Sequence, residues 1–379
     1  LLKAVDYYYH MQTITEGKAR IKVHDGKPSK KLPVFYNPVM KHNRDISVLI
    51  LNSINQKDMN ICLPLAASGI RGIRFLKELK KGILKEIFLN DISPTAVKNI
   101  KENLRLNKIK SSQSIKINIS QKNADRLLSE SKGLNYVDID PFGSPNLFLD
   151  PACKRISRDG ILAVTATDTG CLAGTFPTAC RRKYWSNPSR DDNMHETGLR
   201  ILIRKVQLIG AQYDKALIPV YSYFKDHYFR IFFRCEKGRK KADEIIRQHK
   251  YILKGNTGKG KKMIGNKDKD SKVNDIGPLW TGPLWDKSLA KNICEEDNFS
   301  DPELSAFLRT IADESKIETP GFFDIHQVCK RNRIKKIPKT AELIEKIKTK
   351  GFKTAKTHFR INSIRSGIPE KELIDLMKK

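Results

Sequence analysis

Residues 59–91 read MNICLPLAASGIRGIRFLKELKKGILKEIFLND and contain an apolar run, a turn of small residues, a helical stretch and a second apolar run. The first run ends at Leu63 and the second just before Asp91, with Gly69 and Gly72 between them. Short apolar runs that alternate with helical stretches are typical of parallel strands joined by crossover helices. This stretch therefore predicts an α/β fold.

The same alternation continues on both sides of this stretch. Strands are predicted at residues 60–63, 86–89, 114–119, 136–139 and 161–165. Helices are predicted at 46–54, 70–80, 94–106, 124–130, 147–156 and 196–213, with Ser93 as N-cap and Pro94 in the first turn of the third. Two runs rich in aromatic and β-branched residues follow at 216–223 and 228–235, which predicts a hairpin at the sheet edge.

The composition changes after residue 235. Residues 254–272 are mostly Gly, Lys, Asn and Asp, which predicts a flexible basic loop or linker. Helices at 301–314, 322–331 and 339–350 and a strand at 352–359 then follow in the order of a winged-helix module. A chain of 379 residues is expected to form two domains. We expect an α/β domain with an N-terminal extension over 1–240 and a smaller α+β, winged-helix-like domain over 241–379.

The chain is strongly basic, with 72 Lys and Arg against 42 Asp and Glu, or a net charge of +30. This excess predicts a polyanionic partner, and nucleic acid is the first candidate. The apolar runs are far shorter than the ~20 residues of a membrane helix and no signal peptide is recognised, so we expect a cytosolic protein without membrane association. Seven scattered cysteines without a C-x-x-C pair favour small buried side chains over disulfides or structural zinc.

The turn after the first sheet strand predicts a ligand site. Its small residues let a nucleotide-like ligand approach the backbone at a helix N-terminus. Asp91 follows Gly69 by 22 positions, where an acidic residue is expected to bind a ribose. Alone, the turn is more typical of a tight strand-to-helix connection, but the carboxylate at this spacing favours a ligand. The missing third glycine of G-x-G-x-x-G argues against a dinucleotide.

The fourth sheet strand is followed by Asp140, Pro141 and Phe142, within VDIDPFGSP. In open α/β sheets, ligands bind and catalytic residues lie at this carboxyl edge. An exocyclic amino group is a poor nucleophile because its lone pair is delocalised, and two acceptors on its N–H bonds orient it and stabilise the developing positive charge. Asp140 and the Pro141 carbonyl offer these acceptors, and Phe142 offers a stacking face. The alternative is a strand that ends in a Pro-Gly turn, with Asp140 as a helix cap.

Seven separated blocks resemble the tRNA guanine-N2 dimethyltransferase family, which methylates guanine 26 of tRNA. The blocks are FYNPVMKHNRD, AASGIRGIRF, LNDIS, DPFGSP, HETGLRILI, YFKDHYFRIF and GPLWTGPLWD, in matching order between about residues 17 and 359. The resemblance implies a class I, Rossmann-like methyltransferase domain, S-adenosylmethionine as cofactor and tRNA as partner. It implies products with one or two methyl groups on guanine N2 and a C-terminal domain that binds tRNA. No obligate protein partner is predicted.

The resemblance also implies roles for single residues. Asp140, Pro141 and Phe142 match the catalytic block. The matches to cofactor-binding positions are Arg44 and Arg71 for the methionine carboxylate, Gly69 of the turn, Asp91 for the ribose, Asn123 and Ala124 for the adenine, and the pocket aromatic Phe35, for which a core role is the alternative. The family more often has Asp at the position of Asn123, whose amide oxygen still accepts from an adenine amino group. The zinc-binding cysteine cluster of some relatives has no counterpart here, so no metal is predicted.

Two basic clusters are candidates for RNA binding. Arg181, Arg182 and Lys183 lie beside Tyr184 and Trp185, a combination that favours contact with single-stranded or flipped RNA over a solvated loop. A second cluster at 330–339 favours phosphate contacts. The pairs His195-Glu196 and Asp226-His227 lack further ligands of a metal motif, so we expect them to serve as capping or packing groups.

Other function classes fit the sequence less well than a tRNA methyltransferase. A nicotinamide-dependent dehydrogenase would need the third loop glycine and a placed proton donor. A non-catalytic RNA-binding protein would not need Asp91, the glycine turn and the Asp140 block at one sheet edge. Within methyltransferases, the DPFG sequence also resembles the D-P-P-Y block of enzymes that act on adenine N6. The abundance of Lys and Ile and the missing zinc cluster favour an archaeal source.

Overall fold

The computed structural model describes residues 10–26, 29, 32–254, 262–265, 275–297 and 300–378. The chain divides into two compact units. Unit 1 comprises Leu1–Ile139 and Arg155–Leu162, and unit 2 comprises Asp140–Lys154 and Ala163–Lys379. The predicted domain boundary at 240/241 is not a boundary of these units, and it stays a prediction.

From residue 41 to residue 237 the elements follow the predicted alternation, except for two short helices between 169 and 184 that were not predicted. The strands are β1 (Met11–Glu16), β2 (Ala19–His24), β3 (Met59–Leu63), β4 (Leu84–Asn90), β5 (Lys116–Ser120), β6 (Leu134–Ile139), β7 (Ile156–Ala166), β8 (Lys215–Lys225) and β9 (Tyr228–Lys237). The helices are α1 (Lys41–Ile54), α2 (Ile70–Glu78), α3 (Pro94–Leu106), α4 (Ala124–Glu130), α5 (Asn146–Arg155), α6 (Thr169–Leu172), α7 (Pro177–Tyr184) and α8 (Met194–Ala211). One sheet has the order β5-β4-β3-β6-β7-β9-β8, which confirms the predicted α/β fold and the hairpin at the sheet edge.

Unit 1 is built on parallel strands. Strand β3 pairs with β4 on one side and with β6 on the other, and β4 pairs with β5, all in parallel. Buried Ile61, Ile87 and Val137 lie along these strands and form part of the apolar core. Because the strands are parallel, their carboxyl ends meet at one edge, and the predicted ligand-binding turns begin there.

Helix starts in unit 1 follow local capping. The side chain of Ser93 accepts from Ala96 N at 3.3 Å and Pro94 is the first residue of α3, as predicted. Asn123 caps α4, whose bounds equal the predicted ones. Helix α1 begins at Lys41, five residues before the predicted start, because a 3-10 turn capped by Asn37 leads into it.

The β1–β2 hairpin is an element that the sequence did not predict. Its backbone is held by two asparagines of the α3 region, since Lys22 N donates to Asn103 Oδ1 at 2.7 Å and Arg20 N donates to Asn107 Oδ1 at 3.0 Å. These contacts join residues more than 80 positions apart. The hairpin therefore depends on tertiary contacts that local periodicity does not reveal.

Unit 2 continues beyond β9 with a small sheet and further helices. In chain order these elements are α9 (Arg239–Arg247), β10 (His249–Lys254), β11 (Lys262–Gly265), β12 (Ile276–Trp280), α10 (Lys287–Glu295), α11 (Pro302–Glu314), β13 (Phe323–Asp324), α12 (Ile325–Arg331), α13 (Thr340–Thr349), β14 (Thr354–Lys356), β15 (Ser363–Ser366) and α14 (Glu370–Lys378). Strand β10 lies between β11 and β12 in an antiparallel sheet.

The prediction of an uninterrupted loop over 254–272 is wrong in part. Lys254 ends β10, and Lys262–Gly265 forms β11 and pairs with it. The strand is only four residues long, and its apolar pair Met263 and Ile264 lies within the Gly, Lys, Asn and Asp residues that predicted a loop. Residues 255–261 and 266–272 lie outside the described part of the chain.

The C-terminal part contains α12 and α13, which were predicted at 322–331 and 339–350, and a three-stranded sheet of order β13-β15-β14. Ile325, Val328, Leu343, Ile347 and Ile364 belong to its buried apolar core. The strand predicted at 352–359 covers only Thr354–Lys356, and the chain then turns into β15, which was not predicted. The winged-helix assignment stays a prediction. Among the described helices, none combines the length and the apolar composition needed to cross a membrane.

Candidate active site

The turn after β3 has the tight geometry that the sequence predicted. Ala66 N donates to the Asn90 carbonyl at 2.7 Å and Gly69 N donates to the Ala66 carbonyl at 2.8 Å, so the chain folds back before α2. Gly69 has a positive φ of 78°, and a Cβ there would come within 3.1 Å of Ile100 Cγ1. Conformation and close packing both favour glycine at this position.

Asp91 holds this turn from the end of the neighbouring strand. Its Oδ2 accepts from Ala67 N at 2.9 Å and its Oδ1 accepts from Ser93 N at 2.9 Å. Each carboxylate oxygen has two lone pairs, so one acceptor position on each oxygen is left for a ligand hydroxyl. The half-buried side chain is therefore fixed in orientation and still able to bind a diol.

Asn90, which the sequence analysis did not single out, joins three strand ends. Its Nδ2 donates to the carbonyls of Pro64 at 3.0 Å and Lys122 at 2.9 Å, and its Oδ1 accepts from Ser120 Oγ at 2.7 Å and Lys122 N at 3.0 Å. The side chain is completely buried. A polar residue at the end of the apolar run IFLN was the signal that could have identified it.

Asn123 and Ala124 lie at the next strand end. Asn123 is exposed and its Oδ1 accepts from Asp125 N at 2.9 Å, whereas Ala124 is buried. The capping bond occupies one acceptor position of the Asn123 oxygen and leaves the second. The predicted adenine-reading pair is therefore accessible on its polar side, at the same sheet edge as Asp91.

The two predicted arginines have different surroundings. Arg71 donates from Nη1 to Ser47 Oγ at 2.8 Å and lies 3.4 Å from the Asp138 carboxylate. Arg44 forms a two-pronged pair with the buried Glu16, with Nε–Oε1 and Nη2–Oε2 distances of 2.6 Å each. Burial opposes ionisation of Glu16, but Arg44 and Arg74 outweigh it and hold its pKa at about 2. Arg44 is thus already committed to a carboxylate of the chain itself.

Two buried polar side chains in this region lack hydrogen-bond partners among the described residues. They are Asn43, through both atoms of its amide, and Ser68, through its hydroxyl. Both side chains are almost inaccessible to solvent, where an unsatisfied polar group is costly. Ser68 lies in the turn before Gly69, and the Asn43 carbonyl accepts from Ser47 Oγ at 2.7 Å, the hydroxyl that Arg71 contacts.

In unit 2, the segment from Asp140 to Gly143 is held by residues that follow β7. Gly143 N donates to Thr167 Oγ1 at 2.7 Å, and Thr167 N donates to the Gly143 carbonyl at 2.9 Å. Gly143 has a positive φ of 79°. Asp140 and Pro141 are half-buried and Phe142 is 46% exposed, so the segment presents its side chains on the surface of the unit.

A second set of contacts holds the same segment through Ser144. Ser144 Oγ lies 3.0 Å from Tyr184 OH, and Tyr184 OH donates to Asp168 Oδ1 at 2.6 Å. Thr167 and Asp168 were not among the predicted site residues, although the run TDTG after an apolar strand places polar residues at a strand end. Tyr184 was predicted to contact RNA, but this side chain is completely buried, so that prediction is wrong.

Comparison with known proteins decides the identity of this arrangement. A model of the N2,N2-dimethylguanosine tRNA methyltransferase family matches residues 17–378. The chain belongs to this family. Family membership confirms the resemblance drawn from the seven sequence blocks, and with it the interpretation as a methyltransferase rather than a dehydrogenase.

Individual relatives agree over almost their whole length. The tRNA (guanine(26)-N(2)/guanine(27)-N(2))-dimethyltransferase of Aquifex aeolicus is 35% identical, with 97% of this chain and 96% of that protein covered. The tRNA (guanine(26)-N(2))-dimethyltransferase of Pyrococcus horikoshii is 36% identical, with 97% and 98% covered. The structure of Trm1 from Pyrococcus horikoshii in complex with S-adenosyl-L-methionine superposes with a TM-score of 0.87 at 35% identity, covering 96% of this chain and 99% of that one.

The remaining predictions for members of this family can now be compared with the structure. His195 stacks on Phe224 with ring centroids 3.9 Å apart, and Glu196 is buried in an ion-pair network, which confirms the prediction of packing roles for this pair. Asp226 lies in the β8–β9 turn with a positive φ of 52°. Six of the seven cysteines are buried free thiols, and Cys294 is half-buried.

The basic clusters lie on the surface of unit 2. Arg181, Arg182 and Lys183 are exposed in the last turn of α7, followed by Trp185, which is 49% exposed with Lys205 Nζ 2.9 Å from its ring centroid. In the second cluster the exposed cations are Lys330, Arg331, Arg333, Lys335, Lys336 and Lys339. Phe35, the predicted pocket aromatic, is half-buried in unit 1.

Proposed function

We propose that this chain transfers methyl groups from S-adenosylmethionine to the exocyclic N2 of guanine 26 in tRNA, giving N2-methyl- and N2,N2-dimethylguanosine. The observation that carries the proposal is the family match over residues 17–378. The Asp140-Pro141-Phe142 segment supports it, because it follows β6 directly and β6 is paired with β3, whose turn is held by Asp91.

The residues of unit 1 suit the proposed cofactor. S-adenosylmethionine, when bound, supplies an electrophilic methyl group on a sulfonium. Asp91 has acceptor positions for the two ribose hydroxyls, and Asn123 has one for the adenine amino group. The unpartnered Ser68 hydroxyl lies at the start of α2, where backbone N–H groups favour anionic and polar groups. Of the two arginines, Arg71 is the better candidate for the methionine carboxylate, because its 3.4 Å contact with Asp138 is longer than the two 2.6 Å bonds by which Arg44 pairs with Glu16.

The Asp140 segment would act on the guanine base after the base leaves its stack in the tRNA. The Asp140 carboxylate and the Pro141 carbonyl accept the two N–H bonds of the amino group, which turns its lone pair out of conjugation with the ring. The carboxylate also stabilises the positive charge that develops on the nitrogen. Phe142, with half its side chain exposed, provides an apolar face for the flipped base.

Binding of the tRNA would rest on phosphate contacts. The net charge of +30 supports such contacts, and the exposed cations at 330–339 concentrate part of it on the C-terminal part of the chain. We propose the division into a catalytic domain over 1–240 and a tRNA-binding domain over 241–379 on this basis. A cytosolic location is proposed with it.

The test is nucleoside mass spectrometry of tRNA transcripts incubated with the protein and S-adenosylmethionine. The expected products are the mono- and dimethylated guanosines, and they should disappear from a transcript in which guanine 26 is replaced by adenine. A transcript altered at guanine 27 checks the second position that the name of the Aquifex aeolicus relative contains. Methyl groups on adenine N6 would overturn the substrate assignment.

Binding of S-adenosylmethionine by calorimetry provides the second arm of the test. We expect saturable binding, and tRNA binding without any methylated product would point to a non-catalytic RNA-binding protein. The two measurements together separate failure of the cofactor site from failure of the chemistry.

A further inference from the structure

A chain of hydrogen bonds connects the Asp140 segment with the buried end of α7. The phenol of Tyr184 has a single proton, and its 2.6 Å contact with Asp168 Oδ1 uses that proton. Ser144 Oγ, 3.0 Å from Tyr184 OH, must therefore be the donor of the second bond. The hydrogen bonds therefore run from the Ser144 hydroxyl to the Tyr184 hydroxyl and from there to the Asp168 carboxylate, so each hydroxyl orients the next group.

The hydrogen-bond chain is protected from solvent at its centre. Tyr184 is completely buried, and both its burial and the Asp168 carboxylate raise the pKa of its phenol well above the ordinary value. The phenol therefore stays protonated at physiological pH and remains a donor. Asp168 has a further partner in Lys183, whose Nζ lies 3.5 Å from Oδ2.

We propose that Tyr184 and Asp168 are positioning residues that fix the Asp140 segment in the orientation needed for methyl transfer. The proposal rests on the function proposed above. The Thr167 hydroxyl accepts from Gly143 N, Thr167 N donates to the Gly143 carbonyl, and Tyr184 OH accepts from Ser144 Oγ, so the segment is held immediately after Phe142. The two hydrogen bonds of Thr167 fix the peptide planes on both sides of Gly143, and the Pro141 carbonyl lies in the plane just before them, so its direction is restricted as well.

The size of the effect follows from the demands of the reaction. A misplacement of about 1 Å in a reacting group is sufficient for a rate loss of about a hundredfold. Ground-state binding of tRNA depends mainly on phosphate contacts elsewhere and should change little. Loss of the hydrogen bonds that hold the segment should therefore lower kcat and leave affinities almost unchanged.

The experiment compares Tyr184→Phe with Tyr213→Phe in the full chain. Tyr184→Phe keeps the buried ring but removes the hydroxyl, and Lys183 remains beside Asp168. Tyr213→Phe is the matched control, since Tyr213 OH donates to Asp150 Oδ1 at 2.7 Å elsewhere in unit 2. We expect kcat to fall about tenfold to a hundredfold for Tyr184→Phe and to stay unchanged for the control.

A second readout separates positioning from a general loss of structure. Monomethylated guanine has one N–H left, so the second transfer depends on a single well-placed acceptor. Tyr184→Phe should therefore raise the ratio of monomethylated to dimethylated product. The dissociation constants for S-adenosylmethionine and tRNA should stay within about twofold of the wild-type values, which is small compared with the ~1.4 kcal/mol of a tenfold change. Should Tyr184→Phe fail to fold, Ser144→Ala breaks the same series of hydrogen bonds at its half-buried end and should give the same product ratio.

An unchanged kcat and product ratio in folded Tyr184→Phe would overturn the positioning role. A decrease in activity that only follows the fraction of folded protein would overturn it as well. Failure of the proposed function gives a different result, because then the wild-type protein itself would form no methylated guanosine from tRNA and S-adenosylmethionine.

Discussion

Arg365 of β15 forms a two-pronged ion pair with Glu196 of α8, with Nη2–Oε2 and Nη1–Oε1 distances of 2.7 and 3.1 Å. Its Nε also donates to Glu314 Oε1 at 2.9 Å. All three side chains are buried. The pair connects residues 169 positions apart, so α8 and the C-terminal sheet of unit 2 share one charged core.

Replacing Arg365 should destabilise the protein strongly. Arg365→Met leaves two buried carboxylates without their shared cation, and removal of one partner of a buried pair typically costs about 3 to 5 kcal/mol. Urea unfolding should show this loss. Lys316→Met is the control, because the exposed pair of Lys316 with Asp313 should contribute about 0 to 1 kcal/mol. A loss below about 1 kcal/mol for Arg365→Met would contradict the importance of the network.

The same network predicts a pH dependence. Burial would raise the pKa of Glu196, but Arg365 and Arg200 outweigh it and hold that pKa at about 2. A depressed carboxylate pKa contributes stability that is present above its ordinary value of 4.5 and is lost as the pH falls toward 2. The difference in unfolding free energy between wild type and Glu196→Gln should therefore shrink between pH 4.5 and pH 2. Glu345→Gln, at an exposed carboxylate, controls for general charge effects, and a constant difference would refute the assignment.

Asp91→Ala should weaken S-adenosylmethionine binding at least tenfold. A charge-assisted hydrogen bond contributes about 1.5 to 3 kcal/mol, and the change also removes the contact with Ala67 N that shapes the turn. Calorimetric titration measures the affinity. Glu102→Ala, at a half-buried carboxylate of α3 in the same unit, should bind normally. Wild-type affinity of Asp91→Ala would remove Asp91 from the cofactor site.

Asp140→Asn should bind both substrates almost normally but methylate very slowly. The amide keeps the shape and one acceptor but loses the charge that stabilises the developing positive nitrogen, an effect of about 10² to 10³ in rate. Single-turnover kinetics at saturating substrates measure the chemical step. Asp150→Asn in α5 is the control. A variant that lost cofactor affinity while keeping its saturated rate would show that Asp140 has a different role.

Neutralising the second basic cluster should weaken tRNA binding in a salt-dependent way. Each phosphate contact that is lost should lower the slope of log affinity against log salt by about 1. We expect the triple variant Arg333→Gln, Lys335→Gln, Lys336→Gln to show a smaller slope and lower affinity in filter-binding titrations. A matched triple change on α3, Lys98→Gln, Lys101→Gln and Arg105→Gln, removes the same number of charges and controls for overall charge. Equal slopes for the two variants would mean that tRNA does not contact this cluster.

The parallel sheet was predictable because its signal is local. Alternating apolar runs and helical stretches indicated the strands from β3 to β9, and Ser93 with Pro94 indicated the start of α3 to the residue. The β1–β2 hairpin was missed, since its backbone partners Asn103 and Asn107 lie more than 80 residues away. Strand β11, which pairs with β10, was missed because it is only four residues long and its apolar pair Met263 and Ile264 lies within a long polar stretch.

The positions of candidate site residues were predictable where each residue directly follows a parallel strand along the chain. Gly69, Asp91 and Asn123 each follow a parallel strand, so they share an edge whatever the side-chain details. The partner of Arg44 could not be foreseen, because Glu16 comes from the unpredicted hairpin. The burial of Tyr184 escaped for a similar reason, since only the folded chain brings it to Asp168 and Ser144.

Asn90 shows how narrow the chemical choice at one position becomes. Its carboxamide gives two protons to main-chain carbonyls and takes two from a hydroxyl and a main-chain amide. Aspartate in place of Asn90 would turn a negative oxygen toward those carbonyls. Leucine would leave all four groups buried without a hydrogen-bond partner. Substitution of Asn90 would therefore disturb the ends of β4 and β5 and the turn after β3 together. Spontaneous deamidation of its side chain with age would do the same within a single molecule.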